Sequence, residues 1–168
     1  DLSAAEAGLL EWLALGMHGE MDYMAKHGTK RSRPAELLPG TLRVISLRMN
    51  CAPPGARDSW QVLAEGERAF ISRYALGRDY HKVMRNRLAK LAEKIRAEVA
   101  EFEGRVFTDS APVMEKELAR KAGLGWRGKH TLLLSREHGS RFFLGEIYVN
   151  LPLPADEPQR EHCGTCTR

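Results

Sequence analysis

Four groups of residues have types and spacings that could do chemistry. Asp109 opens the run Asp109-Ser110-Ala111-Pro112, where a short apolar segment gives way to a helical one. A carboxyl there reads two ways. It can cap the helix by accepting from free backbone N–H groups, or it can act as a general acid. A helix N-terminus favours the carboxylate, which opposes the acid role, whereas burial against a large apolar ligand would restore the proton. Cys163-x-x-Cys166 is half of a metal site: tetrahedral zinc needs two more ligands, and the remaining cysteine, Cys51, is far away in sequence. The same spacing begins the bacterial ferredoxin run C-x-x-C-x-x-C-x-x-x-C-P, of which this chain would supply the first two thiolates.

Asp79-Tyr80-His81 invites a cobalt-ligand reading, but the base-off cobalamin motif Asp-x-His-x-x-Gly asks for glycine where this chain has Met84. His81 is therefore read as a hydrogen-bonding residue in the first turn of a helix, not as an axial ligand. Gly123-x-x-x-x-Gly128-Lys129 has the spacing of a phosphate loop, with His130 in place of the magnesium-binding Ser or Thr. A helix precedes it and a strand follows, the reverse of the P-loop context, so a nucleoside-triphosphate site is rejected. Gly123, Gly125 and Gly128 would let the backbone approach a large ligand, with Trp126 offering a flat apolar face. The alternative is a tight helix-to-strand corner with Trp126 in the core.

The elements that must position these residues follow from periodicity. Apolar residues at helical spacing predict a long helix over 79–103, from Tyr80 through Leu88 to Phe102, ended by Gly104. Ser3 and Glu6 have the spacing of a capping box for a helix through Leu15. Pro34 suits the first turn of a short helix. Strands are predicted over 42–49, 70–76 and 105–108, a helix over 112–122, and a hairpin pairing 131–135 with 141–149. Strands and helices alternate without a regular repeat, which predicts an α+β sandwich with a mainly antiparallel central sheet flanked by helices.

A chain of 168 residues, with 43% hydrophobic and 29% charged residues, suits one soluble domain. No apolar run approaches the ~20 residues of a membrane helix, so a cytoplasmic location without membrane contact is expected. The net charge is only +4, but its placement is uneven. Arg73, Arg78, Lys82, Arg85, Arg87, Lys90, Lys94 and Arg96 stand against Asp79 and Glu93 alone, and Lys26, Lys30, Arg31 and Arg33 form a second acid-free cluster. Such stripes suit a phosphate backbone, or else are solvated helix faces.

Taken together, HGEMDYMAKHG, RPAELLPGTLRVIS, SRYALGRDYHKVMRNRL, VFTDSAPVMEKELARKAGLGWRGKHTLLL and FFLGEIYVNLPLP with CGTC resemble the N-terminal region of epoxyqueuosine reductases, in order and nearly gap-free. That resemblance implies a fold like the cofactor domain of reductive dehalogenases and cobalamin-processing proteins. It implies reduction of epoxyqueuosine to queuosine in tRNA, with cobalamin, two [4Fe–4S] clusters and an external electron donor. It assigns Asp109 as the proton donor to the epoxide oxygen. It assigns cofactor contacts to Tyr74, Arg78, Tyr80, His81, Asp109, Gly128, Lys129 and His130, and cluster ligation to Cys163 and Cys166. It divides the chain into a cobalamin- and substrate-binding domain, 1–153, and a linker with the start of a ferredoxin-like domain, 154–168. A strand before Leu2 and the remaining cluster cysteines are expected but absent, so the chain is expected to be inactive alone. Two other readings compete: a non-catalytic RNA-binding module, and a cobalamin carrier without tRNA activity.

Overall fold

The computed structural model describes residues 1–51 and 55–165. The long periodic segment forms α4, Tyr80–Glu98, with Asp79 as its N-cap accepting from the His81 backbone N–H. Met84, Leu88 and Ala92, each one turn from the next, are buried. They pack on Ile147, Val149 and Phe102, with Ile45, Leu47 and Val106 alongside. All but Phe102, which precedes β2, lie on a three-stranded antiparallel sheet ordered β1 (Arg43–Asn50), β5 (Phe142–Val149), β2 (Gly104–Phe107). Gly145 lets the helix sit close: a Cβ there would lie 2.8 Å from Leu88 Cδ1 and 2.9 Å from Met84 Cε.

The opposite face of the sheet carries α5, Glu115–Lys121. Phe107, Val113, Leu118 and Tyr148 form that core, and Leu2 closes it from the N-terminus. A small hairpin of β3 (Trp126–Arg127) and β4 (Leu133–Leu134) extends the layer, with Ala119, Leu133 and Leu144 beneath it. The predicted α+β sandwich is the fold observed. Two further short helices are α2 (Pro34–Leu37) and α3 (Ser59–Leu63), the latter capped by Asp58.

Four sequence expectations are corrected. Residues 131–135 and 141–149 are not a hairpin: β4 turns back onto β3, and the edges of β5 are taken by β1 and β2, leaving one bridge between Ser135 and Gly139. Residues 70–76 are not a strand. The Arg73 guanidinium donates to the Arg57 carbonyl and Ser59 Oγ, pinning a 3₁₀ turn at Arg73–Ala75, while Phe70, Ile71 and Leu76 face solvent. The capping box fails because α1, Ser3–Ala14, takes Leu2 as its N-cap, and Ser3 turns back to Asp1. Glu6 is drawn away by Ser32 Oγ at 2.5 Å and a two-pronged contact with Arg33 at 2.7 and 2.9 Å, charge-assisted bonds stronger than a neutral cap. The Lys26–Arg33 cluster is not a free basic stripe either. Arg31 is buried against the carbonyls of Tyr23 and Met24, and Arg33 is paired with Glu6 and Glu36.

The glycine-rich segment becomes the corner from α5 into β3. A Cβ on residue 125 would lie 2.0 Å from the Leu134 carbonyl oxygen, so backbone packing inside the hairpin explains this glycine. Gly125→Ala is expected to lower unfolding free energy by about 1–3 kcal/mol through overpacking, measured by denaturant titration. A neutral outcome would mean that β3 and β4 pair more loosely than described.

Candidate functional site

Because α4 begins beside the end of β2, the residues of its first turn meet the loop that follows that strand. The Tyr80 hydroxyl donates to Asp109 Oδ2 at 2.5 Å. His81 Nε2 lies 3.0 Å from Asp109 Oδ1, and its Nδ1 lies 2.9 Å from Asp79 Oδ1. Both nitrogens of this ring thus face carboxylate oxygens, contacts that are both hydrogen bonds when both nitrogens carry protons. The Tyr80 ring is sandwiched, stacked on His81 at 4.0 Å and on Phe143 of β5 at 4.1 Å. Arg85 donates to Ser110 Oγ at 3.2 Å, steadying the loop from the next turn of α4. Asp109 does not cap α5, whose N-cap is Met114 and which has no side-chain cap. The cap reading is thus corrected: this carboxyl is held toward α4.

Burial and the Asp109 hydrogen bond push the Tyr80 phenol well above its ordinary range, so it stays a neutral donor. The His81 side chain, by its hydrogen bond, holds the Asp79 carboxyl below the usual value. Two further carboxyls lie near. Glu115 is raised to about 7, first by burial and then by the charge of Asp109. Glu146, in the middle of β5, is fully buried, and neither carboxyl oxygen meets a hydrogen-bond partner among the described residues. Burial, then the charges of Glu115 and Asp109, raise it to about 8. Ser46, directly across from Glu146 in the sheet, and Tyr148, two residues on, also carry buried hydroxyls without described partners. Neither glutamate was singled out from the sequence, although a lone carboxylate inside FFLGEIYV, an otherwise apolar strand, was the available signal.

A pocket of about 120 Å³ opens here, lined by Tyr80, Asp109, Glu115, Leu132 and Phe143 among others. It has room for a fragment of a ligand, so anything larger must lie across its mouth. Leu132 ends the β3–β4 turn, which contains Gly128, Lys129 and His130. Gly128 is buried, and a Cβ there would meet the His130 ring at 2.6 Å. His130 Nδ1 accepts from the Leu132 N–H, and Lys129 Nζ reaches the Gly164 carbonyl at 3.0 Å. Thr131 holds φ 71°, a strained setting for a β-branched residue and the kind found at ligand-clamping turns. Tyr74 and Arg78 are exposed in the segment that leads into α4. Cys163 is exposed, and Cys166 lies outside the described residues.

The segment bearing Cys163 lies along the β3–β4 hairpin. Gln159 donates to the Gly123 carbonyl at 2.8 Å, and His162 meets the edge of Trp126 at 4.9 Å and Arg136 at 3.1 Å. On the outer face of α4, Lys82, Arg85, Arg87, Lys90, Lys94 and Arg96 are exposed, and none forms an ion pair among the described residues. No described helix is long and apolar enough to cross a membrane.

Comparison with known proteins gives concordant matches. The family model Epoxyqueuosine reductase QueG, DUF1730 matches residues 31–110. The epoxyqueuosine reductase of Xanthomonas campestris is 61% identical over the whole of this chain and 47% of its own length. That of Pseudomonas aeruginosa is 62% identical over 99% of this chain and 46% of its own. The chain therefore spans about half the length of the curated relatives it matches. A solved epoxyqueuosine reductase bound to a tyrosine-tRNA stem loop carrying epoxyqueuosine superposes with TM-score 0.79 at 25% identity, over 98% of this chain and 43% of that one.

The buried acids make stability depend on pH. Unfolded, Glu115 and Glu146 lose their protons near 4.5; folded, they keep them to about 7 and about 8. The native state thus holds more protons between these values, and stability falls as pH rises, by about 1.4 kcal/mol per pH unit for each retained proton. Unfolding free energy is expected to be greater at pH 5.5 than at pH 8, with Glu146→Gln flattening the slope. A variant that kept the full slope would show that Glu146 is already ionised inside the fold.

Proposed function

We propose that this chain, which is similar to epoxyqueuosine reductases along its whole length, carries the cofactor and substrate site of an oxidoreductase that converts epoxyqueuosine to queuosine in tRNA, with Asp109 as the acid that protonates the epoxide oxygen. The carrying observation is that the Asp109 carboxyl, freed from capping, faces a pocket while Tyr80 and His81 grip it from α4. An alkoxide leaves poorly near neutral pH, so a positioned proton donor contributes ~10²–10⁴-fold. Tyr80 and His81 orient Asp109, and the stacked Tyr80–Phe143 pair keeps that orientation rigid.

The residues around the pocket fit cobalamin. Both nitrogens of His81 are occupied by carboxylates, so the imidazole is not offered to cobalt, in keeping with a cofactor held without a lower base. Tyr74, Leu76 and Leu132 are exposed apolar side chains suited to the face of a macrocycle. Arg78, Lys129, His130 and the Gly128 turn would meet its polar edge. When bound, cobalamin supplies a strongly reducing cobalt nucleophile. Iron–sulfur clusters fit less well: the described residues contain no group of three or more metal-ligating side chains, and a four-thiolate cluster needs more than Cys163 and Cys166. Residues 1–153 are proposed as the binding domain, and 154–168 as the lead into a cluster-bearing one fed by an external electron donor.

The unpaired cations of α4 support contact with the tRNA backbone. A purely RNA-binding module would share them, but it would have no use for a gripped Asp109 beside two neutral acids. Arg87→Ala/Lys90→Ala/Lys94→Ala is expected to flatten the salt dependence of tRNA affinity by roughly one unit of slope per lost phosphate contact, without changing cobalamin binding. An unchanged slope would return these residues to a solvated face.

Asp109 is tested in the full-length enzyme. Asp109→Asn is expected to lower turnover ~10²–10⁴-fold, while spectral titration shows cobalamin affinity retained and thermal unfolding is little changed. Near-normal turnover would remove Asp109 from the chemistry.

A further inference from the structure

Reducing an epoxide to an alkene consumes two electrons and two protons, and releases the oxygen as water. The electrons come from the external one-electron reductant. The protons both end on the departing oxygen: the first as one C–O bond opens and leaves a hydroxyl, the second as the remaining C–O bond breaks and the C=C bond forms. Asp109 is the proposed source of one proton. A cofactor and a substrate lying across the pocket mouth would keep bulk water from supplying the other. A second donor has to face the same pocket, keep a proton near neutral pH, and be free of partners that would hold it as an anion.

Glu115 meets these conditions. It lines the pocket with Asp109, from the first residue of α5. Among the described residues, no hydrogen bond or ion pair engages its side chain. Of the other proton-bearing side chains in the pocket wall, the Tyr80 phenol is already committed to Asp109, Lys116 carries a charge beside the acid on its own helix, and the Ser140 hydroxyl is a far weaker acid than a carboxyl. We propose that Glu115 is a second catalytic acid, which delivers the second proton to the departing oxygen after Asp109 has delivered the first; this rests on the epoxide reduction proposed above. Each carboxylate then regains its proton from solvent once product has left.

The groups facing Glu115 support this ordering. Burial first, and then the charge that Asp109 in the β2–α5 loop carries once its proton is given, favour the neutral form, while Lys116 on its own helix and His81 on α4 oppose them. Glu146 faces it from β5, itself held neutral by burial and by the charges of Glu115 and Asp109. The balance leaves Glu115 near about 7, where a carboxylic acid is both loaded and able to give its proton.

Glu115→Gln in the full-length, cobalamin-loaded enzyme is expected to cut turnover about 10²-fold and to abolish the loss of rate as pH rises through neutrality. Gln keeps the size and neutrality of the acid, so folding at pH 6 is preserved. Independently of turnover, infrared titration of this chain is expected to show a protonated-carboxyl C=O band that fades as pH rises through about 7 and is missing in Glu115→Gln. A variant with wild-type rate and pH profile, or a wild-type chain whose Glu115 ionises far below neutrality, overturns the proposal. Failure of the Asp109 reading would appear separately, as normal turnover in Asp109→Asn.

Discussion

The structure depends on one strand being covered on both faces. Six consecutive residues of β5, Leu144 through Val149, are buried, so the period of two that a strand imposes sends alternate side chains into two different environments. Ile147 and Val149 enter the apolar layer under α4, while Glu146 and Tyr148 enter the layer under α5. A shift of register by one residue would drive Glu146 into the hydrocarbon beneath α4. The pairing of β5 with β1 over eight residues fixes the register and places an uncharged acid behind the site. α4 is then pressed down at Gly145, and its first turn arrives where the chain leaves β2. The contact between Tyr80, His81 and Asp109 is thus a product of sheet register as much as of the residues that make it.

Much of this was legible in the sequence where a signal repeats over several turns. The start of α4 was readable to within a residue, because Met84, Leu88 and Ala92 recur on one stripe behind Asp79, but its end was not: the helix stops at Glu98, short of the expected 103, and Gly104 opens β2 instead of ending the helix. β1 and β2 were readable from branched residues. What failed was pairing and exposure. FFLGEIYV reads as a strand in any context, but its neighbours lie far away along the chain, and hairpin logic looks only next door. Phe70 and Ile71 look like a strand by type, yet they have no sheet edge to join.

The site divided in the same way. Tyr80, His81 and Asp109 were named from their types and from family resemblance, and the structure brings all three into contact. Their mutual grip was not readable, since it joins residues some thirty positions apart. One glycine shows the opposite case. Gly125 suggested room for a ligand, whereas it is explained by an immediate internal neighbour, the Leu134 carbonyl. Glu115 and Glu146 went unread because ordinary glutamates are surface residues. Their meaning lies in burial, which only the packed structure supplies.

The segment after β5 has one more consequence. A proline-rich stretch of this length, left free, would sample a random-coil cloud, and a thiol near its end would meet any given point of the body at an effective concentration set by chain statistics. Here Gln159, His162 and Gly164 are tied to Gly123, Trp126, Arg136 and Lys129. Cys163 therefore occupies an address rather than a cloud, and the hairpin that flanks the pocket is also what sets that address.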